Sequence, residues 1–196
     1  MAAFLRRHPD VSLRLVGRNS SAIADRVRRG ELEAGVVLLP IDDRALDVRP
    51  IVRDEVLYVS ADANRTRQPA TIERLAATPL IFYDAESADD DPIRRQLAER
   101  AQALRLRLQP KVEVELKDIA LRLVAAGIGD TYLPSAYTRA PYFATGLHTA
   151  PFSPALYDTF AVITRPGARL SAGVREVLAA LETHMRAVAE DFDRSR

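Results

Sequence analysis

The chain has 196 residues, no cysteine or tryptophan, three histidines, and 28 basic against 27 acidic side chains, a formal net charge of +1. A hydrophobic share of 47% is enough to bury one larger core or two small ones, which excludes wholesale disorder. The missing cysteines exclude a disulfide scaffold, a thiol nucleophile and cysteine-based metal sites, and the balanced charge argues against a nucleic-acid-binding face on the folded surface.

At the start, Phe4 and Leu5 face inward from a short helix that must stop before Pro9. The charges follow a very short apolar stretch, the reverse of a signal peptide. No window reaches the apolar run a transmembrane helix needs, so a cytoplasmic location is expected. The chain opens inside an amphipathic helix with no lead-in, as a fragment of something longer would.

Val11, Leu13 and Leu15 alternate with polar residues as a strand with one buried face. After the polar turn 17–21, Ser20 or Ser21 is a candidate helix cap, and Ile23 and Val27 lie four apart on a helix ending at Gly30. Ala34 to Leu39 is continuously apolar, the pattern of a parallel strand covered on both faces. Val48 to Val52 and Val56 to Val59 read as two strands, and 62–69 as a polar surface loop. Thr71 caps a short helix through Leu75, and Leu80 to Tyr83 is a buried strand. Asp91 with Pro92 marks a helix start running to about Leu104, and Val112 to Leu116 alternates as a strand.

Asp118 is read as the cap of a helix from Ile119 to Ala126 that stops at Gly127. Beyond Pro134 the chain reads as short and broken until the strand Tyr157 to Thr164. Ser171 then caps a long amphipathic helix carrying Val174, Val177, Leu178, Leu181, Met185 and Val188 on one stripe. This α/β pattern predicts two lobes joined by two crossover strands, with Val56 to Ser60 and Phe160 to Thr164 as the crossings. Residues 1–59 plus 160–196 form the first subdomain and 60–159 an inserted second one. In sheets of this kind ligands sit beyond the carboxyl ends of strands, and with two lobes in the cleft between them.

Several segments in chain order resemble the effector-binding domain of LysR-type transcriptional regulators. They are Phe4 to Val11, Ile23 to Gly35 with Arg29-Gly30-Glu31-Leu32-Glu33 inside it, and above all Leu123-Val124-Ala125-Ala126-Gly127-Ile128-Gly129-Asp130-Thr131-Tyr132-Leu133-Pro134. The resemblance covers nearly the whole chain. It implies a fold like type 2 periplasmic binding proteins, with two Rossmann-like subdomains and a small-molecule effector in the cleft. It also implies a homodimer or tetramer, with the helices 23–29 and 92–104 as contributors, and DNA contacted only through a winged helix-turn-helix outside this sequence.

For an effector, Arg18, Asn19, Ser20 and Ser21 offer hydroxyls, free backbone N–H groups and the positive end of a helix dipole, which favour a carboxylate or similar anion. Tyr83 and Asp84 end the middle strand, and Lys117 and Asp118 open the helix leading to Gly127. Asp130, followed by Thr131, departs from the apolar residue common in the family after this glycine pair. Its carboxylate is expected either to meet an ammonium or hydroxyl of the effector, or Arg18, or to bond neighbouring backbone amides. The effector class is an organic acid, an aromatic acid or an amino-acid-like metabolite.

Catalysis finds little support. His8, His148 and His184 have no serine elbow or metal-ligand spacing beside them, and no glycine-rich phosphate loop is present. No enzyme activity, metal, cofactor or membrane partner is expected. A solute-binding protein of a transporter is the alternative on the same fold, and an enzyme on that scaffold would need a reactive base in the cleft.

Overall fold

The computed structural model describes Arg6 and residues 19–194. Of the expected opening helix only Arg6, which is helical, is described; Phe4, Leu5, the strand Val11 to Leu15 and Arg18 lie outside the described residues.

The chain divides into two compact units. One holds the residues through Arg53 together with those from Thr159 onward, and the other is Asp54–Asp158. Among the described residues each has its own cluster of buried apolar side chains.

In the first unit, α1 (Ser20–Arg28) turns Ile23, Ala24 and Val27 inward, as their helical spacing predicts. It packs on β1 (Ala34–Leu39), where Gly35 leaves no room for a side chain against Ile23. β1 runs antiparallel to the last part of β6 (His148–Thr164), from Ala34 opposite Thr164 to Leu39 opposite Thr159. The expectation of a parallel strand is therefore corrected on this edge, because the partner is a strand returning from the far end of the chain. The helix α5 (Ala172–Arg194) closes this unit. Ser171 caps it as predicted, accepting the Val174 amide at 3.4 Å, and an Arg49–Glu182 ion pair ties it to β2 (Asp47–Ser60).

β2 is one strand of 14 residues rather than the two read from the sequence. The charged step Arg53-Asp54-Glu55 looked like a break. It is carried inside the strand because Asp54 is satisfied there, taking the Ser135 hydroxyl at 2.5 Å and the Ala136 amide at 3.2 Å. From Asp54 to Ser60 every residue is buried. Likewise β6 extends back to His148 through Pro151 and Pro154, where the sequence reads as broken. Pro151 contributes a carbonyl instead of the amide it lacks, accepting from Ala70 at 2.8 Å. The four strands follow the order β1-β6-β2-β5, with β5 (Thr131–Pro134) antiparallel to β2.

In the second unit, Thr71 caps α2 (Ile72–Ala76), leading to β3 (Leu80–Phe82), which pairs parallel with β4 (Pro110–Glu113). Between them lies α3 (Pro92–Ala103), capped by the Asp91 carboxylate on the Arg94 amide at 2.7 Å with proline at the first helical position, as predicted. β4 begins and ends earlier than the alternation 112–116 indicated, though Val114 still donates to Phe82 at 2.9 Å. α4 (Lys117–Ala125) starts one residue ahead of the predicted cap: Leu116 precedes it without a side-chain cap. Asp118 is inside the first turn, 3.7 Å from Arg122, so its role as a cap is corrected. Among the described residues no helix is long and apolar enough to cross a membrane.

Candidate functional site

The start of α1 differs from its prediction in which residue caps it. Asn19, in extended backbone, accepts the Ala22 amide at 2.7 Å, so the cap is Asn19 and neither serine. Ser20, one residue inside the helix, has its hydroxyl on the Leu38 amide at 2.9 Å and so fastens the first turn of α1 to β1. The Ser21 hydroxyl has no such bond among the described residues. It sits with the first-turn amides, which have no acceptor within the helix.

In the second unit, Tyr83, Asp84 and Lys117 come together. The Lys117 ammonium donates to Asp84 Oδ2 at 2.8 Å and lies 4.3 Å from the centre of the Tyr83 ring and 5.8 Å from that of Tyr137. Asp84 takes a left-handed backbone (φ 54°), a conformation aspartate tolerates better than most residues, as the chain leaves β3. Burial of Tyr83 keeps its phenol neutral far above the usual range, so it serves Lys117 as an aromatic face. The ammonium has three donors and one described acceptor, which leaves it able to take a carboxylate or phosphate oxygen. Tyr137 follows β5 in a stretch read as broken, and no local pattern distinguishes it.

The same unit holds acids whose ionisation burial opposes. Asp91 is raised by burial, while the α3 amide it caps pulls the other way. Asp158, 3% exposed, has one carboxyl oxygen without a hydrogen-bond partner among the described residues. Burial first, then the Asp91 and Asp54 carboxylates, pushes it up to about 7, against the pull of Lys117. A sequence signal exists for it: Asp158 shares strand parity with buried Leu156, so an acid falls on an inward position.

The segment Gly127-Ile128-Gly129-Asp130-Thr131 is a structural lock. Gly127 (φ 72°) ends α4, with its own amide on Val124 and that of Ile128 on Leu123. At Gly129 a Cβ would come within 2.4 Å of the Pro79 carbonyl, which accepts the Asp130 amide at 2.9 Å. The Asp130 carboxylate is buried and takes the Tyr58 hydroxyl and Arg65 Nη1, the latter at 2.6 Å. Neither partner was anticipated. Arg65 comes from the polar run 62–69, which forms a 3-10 turn at Ala63–Thr66 rather than a featureless loop. Thr131 donates its hydroxyl to the Ile81 carbonyl at 2.7 Å and so joins β5 to β3. Among the described residues no group of three or more histidine, aspartate or glutamate side chains could hold a metal ion.

Among the described residues expected at the site, two groups offer polar atoms beyond what the fold consumes: the first turn of α1 at Ser21, and the Lys117–Asp84 pair on its tyrosine faces. Comparison with known proteins gives this arrangement its context. The model of the LysR substrate binding domain matches residues 1–186. The chain is 28% identical over 137 residues to the probable transcriptional regulator LrrA of Synechococcus elongatus, and 24% identical over 135 residues to the transcriptional regulator YofA of Bacillus subtilis. These matches take in 68% and 69% of this chain and 44% of each relative, so the chain spans less than half the length of the regulators it matches.

Among solved structures, OxyR of Corynebacterium glutamicum aligns with a TM-score of 0.78 at 16% identity, over 99% of this chain and 61% of that one. The CcmR regulatory domain of Synechocystis in complex with 2-PG aligns at 0.77 and 14%, over 93% and 87%. The effector-binding domain of BenM with benzoate aligns at 0.69 and 17%, over 91% and 84%. Likeness at these identities establishes the fold, that of effector-binding domains of the type 2 periplasmic-binding-protein kind, and the match over residues 1–186 establishes the family. The chain belongs to the LysR substrate binding domain family.

Proposed function

We propose that the chain is the effector-sensing domain of a LysR-type transcriptional regulator and that it takes a small acid or amino-acid-like metabolite. The observation that carries this reading is Lys117, a cation held 2.8 Å from Asp84 and stacked on Tyr83 with donors to spare. A ligand carboxylate would meet the Lys117 ammonium; the first amides of α1 beside Ser21 are, taken by themselves, a second place suited to an anionic group. Asn19, Ser20 and Tyr83 hold these groups in place, and Asp118 lies in the first turn beside Lys117. Asp130 and Thr131 serve the site by fixing the turn after α4, because Tyr58, Arg65 and the Ile81 carbonyl already occupy them.

Effector binding would favour one arrangement of a cytoplasmic homodimer or tetramer over another. That change would be relayed to a DNA-contacting part of the parent protein outside this sequence. That the matched relatives are regulators favours this reading over a transporter's solute-binding protein.

Calorimetric titration with benzoate, 2-PG and a panel of amino and hydroxy acids tests the proposal on wild type, Lys117→Ala and Asp130→Asn. Loss of a charge-assisted hydrogen bond at Lys117 is expected to weaken an acid ligand by about tenfold or more. An acid that binds wild type and Lys117→Ala alike would remove Lys117 from the site. A larger loss with Asp130→Asn than with Lys117→Ala would place Asp130, rather than Lys117, against the ligand.

A further inference from the structure

After β5 the chain folds through two successive turns. Residues Ser135–Arg139 make a 3-10 turn, the Ala140 amide donates to the Tyr137 carbonyl at 3.0 Å, and the Phe143 amide donates to that of Ala140 at 2.9 Å. These bonds bring Tyr137 and Tyr142 side by side, their ring centres 6.2 Å apart. Tyr137 in turn lies 5.8 Å from the Lys117 ammonium, so Tyr83, Lys117, Tyr137 and Tyr142 are successive neighbours within the second unit.

Packing accounts for the two ends of this row differently. Tyr83 is 2% exposed and belongs to the apolar core, whereas Tyr142 is 40% exposed and gains little from burial. Burial, then Tyr137 and Asp118, hold the Tyr142 phenol above its usual range, so the ring carries no charge near neutral pH. Lys117 and Asp84 are reachable too, with side chains 23% and 33% exposed. Their pairing decides the charge of the ligand: an acid brought to the ammonium also comes beside the Asp84 carboxylate. An α-amino acid avoids that repulsion. Its carboxylate and ammonium share one carbon and can lie antiparallel to the Lys117–Asp84 pair, closing a square of alternating charges.

We propose that this row takes an aromatic α-amino acid, with its carboxylate on Lys117, its ammonium on Asp84 and its ring against Tyr137 and Tyr142; the assignment rests on Lys117 being the effector site and names the effector's class. A ring that meets tyrosines edge-on or offset gains attraction beyond the area it buries. The charge pair discriminates against ligands that carry either charge alone, and the tyrosines favour a flat ring over a saturated one of similar size.

Calorimetry on the whole chain compares phenylalanine with hydrocinnamate, which lacks the amine, phenethylamine, which lacks the carboxylate, and cyclohexylalanine, which lacks the aromatic ring. Phenylalanine is expected to bind about tenfold or more tightly than either singly charged analogue, and roughly threefold or more tightly than cyclohexylalanine. Asp84→Asn keeps a residue suited to the left-handed backbone. It is expected to weaken phenylalanine and strengthen hydrocinnamate, a reversal that loss of structure would not give. Tyr142→Leu, at an exposed position, is expected to remove the preference for phenylalanine over cyclohexylalanine. No binding of phenylalanine, equal or tighter binding of any of the three analogues, or either preference unchanged in its variant would each overturn the assignment. Phenylalanine bound equally well by Lys117→Ala would overturn both this and the effector role of Lys117. An acid lacking amine or ring that binds best, and is weakened by Lys117→Ala, would overturn the amino-acid assignment while leaving the effector proposal standing.

Discussion

Asp158 is a buried acid whose ionisation the fold opposes, and Asp158→Asn measures that opposition. In the unfolded chain the carboxyl titrates near 3.8, and in the folded protein it is pushed up to about 7. Below about pH 4 both states hold the proton and the group contributes no pH dependence. Between 4 and 7 the unfolded chain ionises while the folded protein keeps its proton, so stability falls as pH rises through this window. Above 7 both are ionised and the loss is complete. At roughly 1.4 kcal/mol per pH unit, a window of about three pH units amounts to about 4 kcal/mol.

Asparagine keeps the shape and removes the charge. Urea unfolding of wild type and Asp158→Asn at pH 4.5 and pH 8 reads the difference. The variant is expected to gain stability over wild type as pH rises, from little difference at the acid end to a few kcal/mol at pH 8. Asp54 and Asp91, also raised by burial, help to push Asp158 up, so the comparison reads Asp158 together with its coupling to them. A stability difference that is the same at both pH values would refute the reasoning, because it would mean that Asp158 is ionised to the same degree in both states.

The two glycines after α4 are expected to respond differently to alanine, as thermal unfolding would register. Gly129→Ala drives a Cβ into the Pro79 carbonyl and is expected to cost on the order of 2 kcal/mol or more. Gly127→Ala meets nothing and carries only left-handed strain, about 1 kcal/mol. Ser20→Ala leaves the Leu38 amide without its acceptor and is expected to lower stability by roughly 1 to 2 kcal/mol in denaturant titration. Arg65→Met leaves the buried Asp130 carboxylate with Tyr58 alone, an expected loss of about 1 to 2 kcal/mol given the half-exposed arginine. In a double-mutant cycle Asp130→Asn should abolish that effect, and additive losses would show that the pair is not coupled.

The local signals were decided by residues a few positions apart. Thr71, Asp91-Pro92, Ser171 and Gly127 mark element ends that each depend on one turn's hydrogen bonds, and all four act as their chemistry indicates. The family was legible for a related reason: the glycine segment 127–131 is needed where a backbone passes within contact of Pro79, a demand that shows in residue type. Cap choice was less secure, since Asn19, Ser20 and Ser21 have comparable capping chemistry, and what separates them is whether β1 offers the Leu38 amide to Ser20.

Tertiary structure alone decided the rest. Whether Arg53-Asp54-Glu55 breaks a strand depends on Ser135, 81 residues away from Asp54, and whether Pro151 does so depends on Ala70. Asp130 is committed to Tyr58 and Arg65, 72 and 65 residues distant, so its partners could not be inferred from its neighbours. The composition, with balanced charge and no cysteine, excluded whole classes of chemistry, because those chemistries require particular atoms to be present. It could not say that Asp158 would be buried, for a charge is perturbed by what folds around it, and that is a property of three dimensions.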